Sequence, residues 1–312
     1  MSDSSAQLRR TIASAGDLQS VVRTMKAMSA SSIGQYEQSV RSLADYHRAV
    51  ELGLGACLRS REAVPRTPGK VRRKRTVAVV FGSDQGLVGQ FNESIAAFAL
   101  KRLPAMTNLE TVWCVGERVH VRLLDAGVPV QPPLAVPQSV KGITPLVGEI
   151  LPHSEELQAP SVATELLIFH NRPASGAICE PAVQRLLPLD DDWRDTMVAI
   201  PWPTKNLPQV VGGGDATLRV LISEYLFVSL FRACAESLAS ENASRLSAME
   251  RADKNIAELQ ANLQGRFNRL RQSSIDAELF DVVSGFEALA SAAKRRRGAA
   301  AAAAQTRSNR DR

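Results

Sequence analysis

Residues able to do chemistry are few, and their spacing suits none of the usual reactions. The four histidines, His47, His120, His153 and His170, form no HExxH or other metal-ligand pattern. Cys57, Cys114, Cys179 and Cys234 make no CxxC pair, so neither a zinc site nor a disulfide framework is expected, only packing in a reducing compartment. No GxxxxGK[ST] loop could cradle a phosphate, and no GxSxG elbow presents a serine. Asp190, Asp191 and Asp192 read as a solvated acidic loop rather than a cation site. One glycine-containing turn, 82–92 (GSDQGLVGQFN), follows a short apolar run. Its spacing is not GxGxxG and no partner residues complete a dinucleotide site. It reads as a tight turn with Asn92 capping the next helix. The expectation is a non-catalytic chain with no cofactor and no metal.

The elements that carry these residues are more informative. The chain has 312 residues, 45% hydrophobic and only 5% aromatic, which favours a helix-rich shape over one compact core. From 5 to 58 there is no proline, and Ser4 with Gln7 fits a capping box. Leu8, Ile12, Ala15, Leu18, Val22 and Met25 recur at helical spacing. Ile33, Tyr36, Val40, Leu43, His47, Val50 and Leu54 then alternate strictly by three and four. That is the narrow seam of a coiled coil, not the broad stripe of a helix lying on a globular core.

Pro65, Pro68, Gly69 and the cations Lys70, Arg72, Arg73, Lys74 and Arg75 read as a basic linker over 60–75. Between 76 and 210 short apolar runs (76–81, 111–115, 165–170) alternate with helical stretches (93–103, 117–126), a pattern predicting a Rossmann-like parallel sheet. After Asp190 the prolines suggest loop or edge structure. Gly212, Gly213 and Gly214 then give a turn, with Asp215 as N-cap of a second long helix over 211–297. Its seam runs through Leu246, Met249, Asp253, Ile256, Gln260, Leu263, Phe267 and Leu270, and resumes with a phase shift at Ile275, Leu279, Val282, Phe286 and Leu289. The two terminal helices, 1–59 and 211–297, should pair as an antiparallel coiled coil around the α/β domain. The tail 298–312 is expected to be disordered. Lys294, Arg295, Arg296, Arg297, Arg307, Arg310 and Arg312 against Asp311 place about +6 at the C-terminal end, equal to the whole chain's net charge of +6.

Specific motifs sharpen this picture. LASENASRLSAM (238–249) and NRLRQSSIDAEL (268–279), followed by Val283-Ser284-Gly285, resemble the C-terminal signature of the gamma subunit of F-type ATP synthases. SDQGLVGQFN (83–92) is similar to that family's SDRGLCGxxN, and Ile12-Ala13-Ser14 with Val22-Arg23-Thr24-Met25 to its first-helix elements. Gln85, Val88 and Ser32 stand where the family usually has arginine, cysteine and lysine. The resemblance implies a central-stalk rotor subunit with its coiled coil inside the ring of α and β subunits. Its globular domain would sit on the membrane c-ring beside the ε subunit, peripheral to the cytoplasmic face of a bacterial inner membrane. It further implies that Arg271 and Gln272 engage β subunits, Arg271 through charge-assisted hydrogen bonds to a carboxylate. Arg23 and Met25 would face the β lower domains, and Glu241 and Arg245 would make lower-shaft contacts. Nucleic acid is not an expected partner. The competing reading is a coiled-coil nucleic-acid-binding or scaffold protein that uses its basic tail.

Overall fold

Strand β1 (Arg73–Phe81) sends alternate side chains to opposite faces, and both faces are covered. Val77, Val79 and Phe81 enter one core, and Ala78 and Val80 the other. In the computed structural model, which describes residues 2–60, 73–103, 108–156, 162–174, 177–206, 208–209 and 214–308, the sheet order is β2-β1-β3-β4. β2 (Leu109–Val115) and β3 (Val162–Ala174) lie parallel to β1, and β4 (Ala177–Leu187) returns antiparallel to β3. Helices α2 (Phe91–Arg102) and α3 (Glu117–Asp125) cover one face through Ile95, Ala99, Val119 and Leu123. On the other face lie α4 (Val140–Glu156), α5 (Asp191–Ala199) and parts of the two long helices, α1 (Ser2–Ser60) and α6 (Gly214–Ser308).

The chain divides into two compact units, Arg23–Arg251 and Met1–Val22 with Ala252–Arg312. In the larger unit α1 and α6 run antiparallel, and Tyr36, Val50 and Leu54 share a core with Leu226, Leu230 and Leu238. His47, on the seam, stacks on Tyr225 with ring centroids 5.8 Å apart. In the smaller unit the same pairing is seen again. Gln19 Nε2 donates to Asp253 Oδ1 at 2.9 Å, and the Arg9 guanidinium lies 5.2 Å from the centre of the Phe267 ring.

Several expectations need correction. Leu18 is 54% exposed, and Gln19 holds the seam position instead, because its amide reaches Asp253. The resumed seam at Ile275, Leu279, Val282, Phe286 and Leu289 is exposed. The described part of α1, from Ser2, sets Arg9 against Phe267 and by the same spacing runs beside α6 to about position 274. Asn92 is inside α2 and caps nothing; the N-cap is Gln90, without a side-chain bond. Asp215 falls in the first turn of α6, which begins at Gly214. The stretch after Asp190 holds α5, where Asp190 Oδ1 accepts from Trp193 N at 3.1 Å, so the aspartates open a helix rather than form a loop.

α6 stays helical to Ser308, through the residues expected to be disordered, since its alanine run has the highest helix propensity. β1 begins at Arg73, inside the expected linker; residues 61–72 lie outside the described residues, as do 309–312 and Gly212 and Gly213. The side chains of the Ser4–Gln7 capping box are likewise not fully described.

Candidate functional site

The turn after β1 is built by close approach. A Cβ on Gly82 would lie 2.4 Å from Val119 Cγ1, and one on Gly116, at φ +110°, would lie 2.8 Å from the Ser83 backbone. Only glycine fits either place. Asn92 Oδ1 accepts from Ser83 N at 3.0 Å while its Nδ2 donates to Ser83 Oγ at 2.8 Å, so the side chain ties the turn to α2. Asp84 extends the brace. Its Oδ1 accepts from Glu117 N at 3.1 Å and its Oδ2 from Val136 N at 2.9 Å. Leu87 projects from the turn at φ +63°, 63% exposed.

Against this turn lie α1 and α6, and a cavity of about 230 Å³ opens between the three. Its wall includes Met25, Ser32 and Tyr36 of α1, Asp84 and Gln85 of the turn, and Glu241 and Arg245 of α6. Arg245 Nη2 donates to Glu241 Oε1 at 2.6 Å, with side-chain exposures of 12% and 8%. Glu241 Oε2 and Arg245 Nε have no partner and are shut off from solvent. Burial pushes the Glu241 carboxyl above the usual range, Arg245 pulls it back, and Asp84 adds to the rise. The Tyr36 phenol is raised by burial and then by Glu241.

A second cluster joins β3 to α6. His170 Nε2 and Glu236 Oε2 are 3.0 Å apart, and Arg232 Nε donates to Glu236 Oε1 at 2.7 Å. Burial raises the Glu236 carboxyl, but the bonds from His170 and Arg232 and the Arg232 charge bring it net below its ordinary value. The Cys114 thiol is pushed up to about 12 by burial alone, and Cys234 is raised by burial and then by the Glu241 charge, so both behave as packing residues. No group of three or more His, Cys, Asp or Glu among the described residues could hold a metal. The chemistry of these sites is ion pairing and packing.

Met25, Glu241 and Arg245 thus meet at one cavity, where Glu241 and Arg245 pair one turn apart on α6 rather than across the two helices. Arg23 is exposed on α1 and is not part of the wall. Arg271 and Gln272 are exposed on α6 in the smaller unit and make no hydrogen bond or ion pair with the described residues. The bracing bonds of Asn92 and Asp84, the place of Tyr36 beside Glu241 and the His170–Glu236–Arg232 cluster were not legible in the sequence. Only Asp84 and Asn92 sat within a motif that could have flagged them.

The family model described as ATP synthase matches residues 4–289. The chain belongs to the ATP synthase gamma family. It is 29% identical over 298 residues to the ATP synthase gamma chain of Anaeromyxobacter sp. (strain Fw109-5), covering 90% of this chain and 98% of that one. With the gamma chain of Moorella thermoacetica it shares 26% identity over 297 residues, again covering 90% and 98%.

Its fold matches a chain of the Euglena gracilis mitochondrial ATP synthase in rotational state 3, with TM-score 0.61, 16% identity, and 93% and 95% of the two chains covered. A chain of the central stalk and c-ring structure of the Tetrahymena thermophila mitochondrial ATP synthase matches with TM-score 0.54, 20% identity, and 74% and 99% covered. The gamma-family chain therefore shares the fold of these ATP synthase chains. Its departures from the gamma motifs cluster: Ser32 and Gln85 both line the cavity beside Glu241, and Val88 is buried in the turn. Ser32 and Gln85 thus share a wall with Asp84 and Glu241. No helix among the described residues is long and apolar enough to cross a membrane.

Proposed function

We propose that this gamma-family chain is the non-catalytic rotor of its synthase. It transmits torque between a membrane c-ring and a ring of α and β subunits, so that ion transport is coupled to ATP synthesis or hydrolysis. The observation that carries the reading is the end of α6. Beyond the reach of α1, Leu279, Phe280, Val282, Phe286 and Leu289 are 61% to 75% exposed, more apolar surface than a lone chain keeps without a partner. An apolar sleeve formed by the ring subunits would cover it. Arg271 and Gln272, just before this end, are exposed and without partners among the described residues, and on this reading they bond β subunits at particular angles. Such contacts differ between open and closed β states, which is what lets a turning shaft drive them.

On this reading Arg23 and Met25 face the β lower domains, and Glu241 and Arg245 stiffen the lower shaft. The sheet domain rests on the c-ring beside ε, holding the chain peripherally at the cytoplasmic face of a bacterial inner membrane. Co-expression with the α and β subunits of the same organism tests it. The three should co-purify, and Arg271→Ala should lower ATP hydrolysis in the assembled complex roughly tenfold, the loss of one charge-assisted bond. Failure to co-purify removes the rotor reading; unchanged hydrolysis removes the role of Arg271.

A further inference from the structure

The exposed end of α6 carries a regular apolar pattern. Ile275, Leu279, Val282, Phe286 and Leu289 follow one another by four, three, four and three, and they are 52% to 74% exposed. This is the a/d repeat of a two-stranded coiled coil, in which each apolar side chain inserts between residues of a facing helix. The flanking charges also fit a pair. Taking Ile275 as d, Arg271 is a g position and Asp276 an e position, five residues apart. In a parallel dimer these two face each other across the seam with opposite charge. Both are exposed, and neither has an ion-pair partner among the described residues.

We propose that, outside a larger assembly, residues 275–289 of two copies of this chain pair as a short parallel coiled coil. The dimer stores the apolar face of α6 until ring subunits displace it. Two heptads bury few layers, so the pairing is weak enough to be exchanged for a larger partner.

The test is sedimentation equilibrium of the full chain alone. A dimer is expected at ~100 µM, dissociating on dilution with a midpoint on the order of 10 µM. Leu279→Ser combined with Phe286→Ser should weaken it at least ~100-fold. Both side chains are exposed, so circular dichroism should stay unchanged. Phe280, 75% exposed but one position off the seam, is the control: Phe280→Ser should change the constant less than about threefold. Arg271→Glu should weaken pairing, and Arg271→Glu with Asp276→Lys should restore it. A monomer at ~100 µM overturns the proposal. So does an equal loss from Phe280→Ser, which would mean unspecific hydrophobic association. Because the chain is measured alone, its failure leaves co-purification with α and β as a separate test of the rotor reading.

Discussion

Replacing Glu241 by Gln while keeping Arg245 tests how the cavity wall is held. The pair is close, 2.6 Å from Arg245 Nη2 to Glu241 Oε1, and both side chains are nearly buried. Removing one partner of a buried ion pair leaves an uncompensated charge and costs roughly 3–5 kcal/mol. Arg245 borders an open cavity, so water partly offsets its loss and the lower end, about 3 kcal/mol, is expected. Arg245→Met has a different profile. The remaining carboxyl, already raised by burial and Asp84, takes up a proton instead of staying charged. Its cost should be small near pH 5 and grow toward pH 8.

The double variant Glu241→Gln/Arg245→Met buries no charge and should return to within about 1 kcal/mol of the natural chain. The assay is urea unfolding followed by tryptophan fluorescence, since Trp113, Trp193 and Trp202 all lie in the larger unit. If the two single effects add to the double within about 0.5 kcal/mol, the pair is not coupled and the reasoning fails.

The same assay checks the turn and the second cluster. Gly116→Ala adds backbone strain and a Cβ 2.8 Å from the Ser83 backbone, whereas Gly127→Ala, at φ +77° with open space, adds strain alone. The first should cost about 3 kcal/mol or more and the second about 1 kcal/mol; equal losses would deny the close approach. Asn92→Ala leaves the buried Ser83 N–H without an acceptor and should cost about 2–3 kcal/mol, with little recovered by Asn92→Ser. The Glu236 carboxyl is lower in the folded chain than in the unfolded one, so its stabilisation is present above about pH 4.3 and lost as pH falls further. The deficit of Glu236→Gln at pH 7 should therefore close below that pH, and a constant deficit would exclude the ionic bonds as its cause.

The elements with local periodicity were readable from the residues. The α1 seam from Ile33 to Leu54 is buried or half-buried at each position named for it. The apolar runs at 76–81, 111–115 and 165–170 became β1, β2 and β3. α4 was missed because Pro145, Gly142 and Gly148 look like breakers, yet Ile143, Leu146, Val147 and Ile150 form one buried face that packing holds helical. β4 was missed because Pro181 argues against a strand, and it is tolerated there because β4 is an edge. The Asn92–Ser83 and Asp84–Val136 bonds join residues through turns of unusual backbone geometry, which local propensity does not encode.

What the residues determined alone was which faces must be covered. Three-and-four spacing makes a helix stripe apolar whatever lies beside it, so both long helices and their seams followed from order along the chain. What covers each face was decided only in three dimensions. Leu18 and Gln19 compete for one seam position, and Gln19 takes it because Asp253 stands opposite. Leu263 and Leu279 carry the same signal, but one is buried and the other 61% exposed, because among the described residues α1 lies against the first and not the second. Burial is a property of two surfaces, and a periodic sequence specifies only one of them.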